Sequence, residues 1–259
     1  MRVNKTKTKL VGNQIVVGAV IPIPSPDLIE LSATVGFDFV TIDLEHEPMG
    51  EQQIVHMIRA AEAYDITPIV RLPKDPDRIL HFLDAGVQGI HVPRCNSAED
   101  VRALVEATRF YPQGKRTFYA LGRSASYAVG VDDEEWSQSA NRELLVVAMV
   151  EEVEALNNLE EILAVPYVDV IHIGPKDLWQ SMGMPEATVV DEKVAYITRA
   201  AVASAKQVSI QLRITDDVHE RIAGHLRRGA RMFSVSPFDF IRRGGTDFTK
   251  QVREMAGSI

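Results

Sequence analysis

Eight short apolar runs, each separated from the next by a stretch that includes helix-forming sequence, constrain this chain more than any other feature. The runs fall at Ile15–Ile21, Phe39–Leu44, Pro68–Leu72, Gly89–Pro93, Leu145–Glu151, Val168–Gly174, Val208–Ile214 and Arg231–Ser236. Val, Ile and Phe dominate them with little polar alternation, the pattern of strands covered on both faces. Between them, Glu51–Tyr64, Asp77–Ala85, Ala98–Thr108, Val153–Ile162, Asp191–Lys206 and Asp217–Arg228 carry helix formers at helical spacing. Alternation of this kind calls for parallel strands joined by helical crossovers. Eight units imply closure into a (β/α)₈ (TIM) barrel, a single α/β domain over residues 1–259, rather than an open sheet. The length of 259 residues agrees with the roughly 250 usual for that architecture.

Three segments stand outside the repeating pattern. Met1 to Leu10 is basic, lacks the apolar core of a secretory signal, and reads as a short tail. The connection between strands 4 and 5 is much the longest. Its portion 110–143, rich in Gly, Ser, Arg and aromatic residues, is expected to shape the site or a subunit contact. The amphipathic segment 238–259 is expected to close the barrel or dock on a neighbour.

Composition excludes some classes of partner. A formal net charge of −8 argues against nucleic acid, whose binding relies on clustered Lys and Arg. No apolar run approaches the roughly 18 residues of a membrane span. The single cysteine, Cys95, forbids an intramolecular disulfide and fits a cytoplasmic protein. It lacks a neighbouring base that would make it a nucleophile.

Active sites of such barrels lie at the carboxyl ends of the strands, and polar residues gather there. Strand 2 ends Asp43-Leu44-Glu45-His46, strand 3 at Arg71, strand 5 at Glu151 and strand 6 with Gly174-Pro175-Lys176-Asp177. Strand alternation turns Asp43, Arg71, Met149 and Glu151 toward the barrel mouth. Glu151 and Asp177 are hard oxygen donors suited to Mg²⁺ or Mn²⁺, with Co²⁺ a further option. They are equally readable as helix-start acids that complement a helix dipole. The Gly174-Pro175 turn leaves the N–H groups of Lys176 and Asp177 free for a substrate carboxylate. Asp43 and His46 suit an acid–base dyad, against which His46 is also an ordinary loop histidine. Arg71 suits stabilisation of a developing oxyanion, or a salt bridge to Asp43, Glu45 or Asp84. His91 and His172, inside strands, are read as structural.

Several of these segments, taken in order, carry a resemblance. They are Gly36-Phe37-Asp38 with Asp43-Leu44-Glu45-His46, Val70-Arg71, Phe82-Leu83-Asp84-Ala85-Gly86 and Val92-Pro93-Arg94. Ala107-Thr108-Arg109-Phe110-Tyr111-Pro112, Val150-Glu151 and Ile173-Gly174-Pro175-Lys176-Asp177-Leu178 follow. Together they resemble the HpcH/HpaI family of metal-dependent 2-oxo-acid aldolases, from about Val17 to about Asp239. The resemblance implies a divalent metal on Glu151 and Asp177 and a His46–Asp43 dyad acting as base through a metal-bound water. It further implies Arg71 on the keto oxygen and Asp84 in a supporting role. The reaction implied is reversible cleavage of a 4-hydroxy-2-oxo acid to pyruvate and an aldehyde, in a homo-oligomer (hexamer or trimer).

The chain departs from the family pattern at Met149, where many members carry Gln, and at Lys176, where a small or neutral residue is usual. It departs again across Gly114–Arg123, where Arg123 has two readings, a contact to an acidic substrate or a surface contact. Related lyase or decarboxylase chemistry on oxaloacetate or a hydroxyacyl thioester is the alternative, and a non-catalytic barrel that binds a 2-oxo acid is the remaining one.

Overall fold

The computed structural model describes residues 1–257. Its strands are β1 (Val16–Ile21), β2 (Phe39–Asp43), β3 (Thr67–Arg71), β4 (Gly89–Val92), β5 (Leu145–Val150), β6 (Val170–Ile173), β7 (Gln207–Gln211) and β8 (Met232–Val235). All are parallel, pair in sequence order, and close through β8 on β1. This is the (β/α)₈ barrel expected, and each apolar run contains most or all of one strand.

Side-chain parity divides the core in two. Outward residues such as Ala19, Ile42, Val70, Ile90, Ala148 and Ile173 pack against the surrounding helices. Inward residues Val16, Phe39, Ile69, Leu145, Val147, Val170 and Met232 fill the barrel's lower half. Space there is tight: a Cβ on Gly18 would lie 2.4 Å from the Phe39 carbonyl oxygen, so only glycine fits opposite that ring.

The amino terminus is not a tail. Residues Lys5–Val11 form a helix that plugs the strand amino ends, with Leu10 buried beside Val16 and Phe39. Asn4 caps it by accepting from Lys7 N (2.9 Å) and donates to Gln88 O (2.9 Å). Thr6 meets Thr67 Oγ1 at 2.8 Å, and Lys7 pairs with Asp169 at 2.8 Å. The helix escapes apolar periodicity because one leucine is its only apolar anchor. Its other contacts satisfy polar groups at the strand starts, which are expensive to leave unpaired.

Of the two roles expected for the long connection, shaping the site of its own barrel is the one its placement excludes. Helix Ala98–Thr108 completes the crossover first, so residues 109–144 lie at the base of the barrel rather than at the mouth. They include a short 3₁₀ turn, Arg123–Ala128, with left-handed Ser126, Tyr127 and Ala128, then a helix, Asp133–Glu143. Arg109, 2 % exposed, anchors the segment to Tyr167 O (3.1 Å) and Asp169 (3.2 Å).

The closing role expected of 238–259 is not met within one chain. Helix Pro237–Ala256 buries only Asp239 and leaves Ile241, Phe248, Val252 and Met255 exposed; residues 258 and 259 lie outside the described residues. The barrel wall this helix would cover remains an apolar groove lined by Val17, Phe37, Leu212, Ile222, Leu226 and Phe233.

Candidate active site

At the mouth, register places Asp43 beside Arg71, and Arg71 beside His91. Asp43 and Arg71 are 3 % and 7 % exposed. Arg71 Nε donates to Asp43 Oδ1 (3.0 Å) and Nη2 to Oδ2 (2.6 Å), a bidentate pair that fixes the guanidinium plane. Glu45 Oε2 approaches Arg71 Nε at 3.6 Å and His46 Nε2 at 3.7 Å, yet has no hydrogen-bond partner although buried. The expected Asp43–His46 dyad is therefore not assembled: Asp43 is committed to Arg71. His46 stands at the exposed rim beside Glu45. Glu45 is the site residue that sequence reading passed over, having considered it only as an alternative partner for Arg71.

Opposite these, Glu151 follows β5 and is 3 % exposed. Its Oε1 accepts from Arg94 N at 2.8 Å, where Arg94 adopts a left-handed conformation (φ 51°). Such backbone is uncommon for a side-chain-bearing residue and collects at functional sites. Gly174 closes the other flank. A Cβ there would lie 2.6 Å from Met149 Cε and 2.8 Å from both Cβ and Oε2 of Glu151, so glycine is what lets the strand 6 turn meet the carboxylate. Helix Pro175–Ser181 starts next, with Asp177 exposed in its first turn and Lys176 Nζ 5.2 Å from the Trp179 ring. Pro175, at the helix's first position, has no N–H to donate, and the N–H groups of Lys176 and Asp177 precede the intrahelical ladder.

The electrostatics follow from burial. Glu151 is pushed up to about 7, first by desolvation and then by the charges of Glu45 and Asp177, against the Arg94 N–H and Arg71. Glu45 is raised by burial despite Arg71 and His46. Burial alone would lower Arg71, but Asp43, Glu45 and Glu151 outweigh it and hold it above its ordinary value. The mouth therefore concentrates carboxylates around one fixed guanidinium, an arrangement fitted to receive a cation and to polarise an anionic substrate. Among the described residues no three His, Cys, Asp or Glu side chains form a complete cation cage.

Two residues expected at the site lie elsewhere. Helix Pro76–Ala85 runs antiparallel to the strands, so Asp84 in its last turn sits at the base, paired with Arg116 at 2.8 Å. Arg123 is close by, where Nη1 donates to Glu62 Oε1 (2.6 Å) and to Ala85 O (3.4 Å). Neither reaches the mouth of its own barrel, because the αβ side of the fold carries them to the opposite end. Cys95 is buried and its thiol pushed up to about 12 by burial, which leaves it inert.

A parallel eight-stranded barrel with acids, an arginine and a Gly-Pro turn converging at its mouth is the layout of a (β/α)₈ enzyme, whose chemistry sits at the carboxyl ends of the strands. Residues 17–240 match the model of the HpcH/HpaI aldolase/citrate lyase family, and the chain belongs to that family. It is 36 % identical over 208 residues to a hydroxypyruvate/pyruvate aldolase of Cupriavidus necator, covering 78 % of this chain and 76 % of that one. Its fold matches the crystal structure of citrate synthase SbnG with a TM-score of 0.85 at 32 % identity, over 97 % of this chain and 98 % of that one. An HpcH/HpaI aldolase from Desulfitobacterium hafniense matches with a TM-score of 0.88 at 26 % identity, over 96 % of each chain. The protein is a carbon–carbon lyase of this aldolase family.

Proposed function

We propose that the protein is a divalent-metal-dependent aldolase that cleaves a 4-hydroxy-2-oxo acid to pyruvate and an aldehyde, and runs the reverse addition. The observation that carries it is the convergence of buried Glu151, the Gly174-Pro175 turn and the Asp43-fixed Arg71 on one mouth. Glu151 and Asp177 would hold Mg²⁺ or Mn²⁺, with Co²⁺ as a substitute. A pair of carboxylates with remaining positions left to water and substrate is how Mg²⁺ is commonly held. The donor set fits: Glu151 is an otherwise costly buried carboxylate, and Gly174 brings no side chain of its own against Oε2. When bound, the cation supplies Lewis-acid charge stabilisation for an enolate.

This chain's own residues would do the rest. Arg71 aims a fixed cationic plane at the keto oxygen. The Gly174, Pro175 and Lys176 turn receives the substrate carboxylate, and Met149 forms the wall beside it. His46, at the rim with Glu45 near its Nε2, takes the proton from the 4-hydroxyl as the C3–C4 bond breaks. Asp43 acts through Arg71 rather than through His46.

The test is exchange of the pyruvate methyl protons in heavy water, followed by NMR. Exchange should require Mg²⁺ or Mn²⁺ and stop with chelator; exchange absent with either metal overturns the proposal. A second reading, condensation or cleavage involving oxaloacetate, is favoured by the likeness to citrate synthase SbnG. Assays with oxaloacetate, with and without an acyl thioester, separate the two. The apolar face of helix Pro237–Ala256 and the groove beside β1 and β8 further suggest a homo-oligomer, a hexamer or trimer, in which copies cover one another. Net charge disfavours nucleic acid as a partner, and no helix among the described residues is long and apolar enough to cross a membrane.

A further inference from the structure

The barrel interior changes character halfway up. Below, aliphatic and aromatic side chains fill it; beneath Arg71 the polar residues Thr41, His91, His172, Ser209 and Gln211 line a cavity of about 10 Å³, which apolar Phe39, Ile69, Val147 and Met232 also border. That volume is at the threshold for one water molecule. His91 is 5 % exposed, lines this cavity, and its buried Nε2 has no hydrogen-bond partner within the protein. Its ring lies 4.7 Å from that of His172 at a 54° tilt, and His172 Nδ1 is 3.0 Å from Ser209 Oγ. The β3–β4 register sets His91 beside Arg71 on the same inward face. Asp43 engages Nε and Nη2 of Arg71, so the guanidinium retains further donors for the cavity below and the mouth above.

A buried polar atom without a partner calls for one, and apolar residues of similar size would fill this layer at less expense. Desolvation holds both imidazoles neutral, so neither repels the arginine above. We propose that His91 is a positioning residue: its Nε2, with the polar groups around it, holds one ordered water beneath Arg71, and imidazole and water together seat the guanidinium for the keto oxygen. The role rests on the aldolase reading, in which Arg71 polarises substrate.

The test compares wild type, His91→Leu and His91→Gln, each by high-resolution crystallography and by steady-state aldol cleavage with saturating metal. A water should appear within hydrogen-bond distance of His91 Nε2. His91→Leu should displace the Arg71 guanidinium and lower kcat by about 10- to 100-fold, as loss of a supporting partner does, with KM for the oxo acid little changed. His91→Gln should restore both the placement of Arg71 and most of the turnover. Wild-type kcat in His91→Leu, an unmoved Arg71, or a dry cavity overturns the proposal. So does a fall in activity that tracks Tm equally in both variants. If wild type itself shows no metal-dependent cleavage or exchange, the aldolase reading fails. In that case the crystallographic arm still decides the water and the seating of Arg71.

Discussion

Asp43 holds Arg71 by two hydrogen bonds of 3.0 and 2.6 Å between neighbouring strands, and both side chains are buried at the barrel mouth. A geometry of this kind depends on the guanidinium fork and not on charge alone. Arg71→Lys should therefore keep the fold and lose turnover by roughly 100-fold or more, the scale for removing one oxyanion-stabilising donor. Arg71→Ala should additionally destabilise by about 3–5 kcal/mol, because it leaves Asp43 buried and unpaired. Aldol-cleavage kinetics with urea unfolding checks both; unchanged turnover in Arg71→Lys refutes the role.

Glu151 and Gly174 form a second coupled pair. Gly174→Ala would drive a Cβ to within 2.8 Å of Glu151 Cβ, which, unlike a flexible side-chain end, has little room to give. Metal affinity measured calorimetrically should fall by about 10-fold or more, in the range for a disturbed supporting contact. Glu151→Gln should abolish metal binding while raising Tm in chelator at pH 8, since the ionised carboxylate is disfavoured by burial. The gain is roughly 2–4 °C for each kcal/mol relieved. Full activity of Glu151→Gln without added metal would remove it from the ligand set.

The buried histidines give a signed pH dependence. His172 is pushed down to about 3 by burial, so between pH 6.5 and 3 the unfolded chain binds a proton that the folded chain refuses. Its contribution is constant above pH 6.5 and falls with acidification, by up to roughly 1.4 kcal/mol per pH unit. Glu151 works the other way, because its raised carboxyl gains stability as pH falls from about 7 toward its unfolded value. The two are separated by urea unfolding in chelator at pH 7.5, 6 and 5 for wild type and His172→Gln. The variant should lose less stability on acidification; identical slopes would contradict a neutral buried His172.

Helix Pro237–Ala256 supplies a test of assembly. Phe248 and Ile241 are 68 % and 67 % exposed, on a helix beside an uncovered apolar groove. Replacing both with Asp should convert the proposed homo-oligomer to smaller species by light scattering while leaving the circular dichroism of the barrel intact. A wild-type monomer at micromolar concentration would defeat the expectation.

Much of the molecule was legible from its residues alone. Strands such as β5 (Leu145–Val150) and β2 (Phe39–Asp43) announce themselves because strands covered on both sides must be largely apolar throughout. The same parity predicts that Asp43, Arg71 and Glu151 face inward, because side chains alternate along any strand. Helix Lys5–Val11 was not legible, since its polar residues are anchored by groups remote in sequence, Thr67, Gln88 and Asp169. Tertiary structure alone decided which acid serves which base. Asp43 lies three residues from His46 but is bound across the sheet to Arg71, because a buried bidentate ion pair outcompetes an exposed imidazole. It also decided that Asp84 and Arg123 belong to the base, since helix Pro76–Ala85 runs down to that end and Arg123 follows a crossover helix that has already returned there.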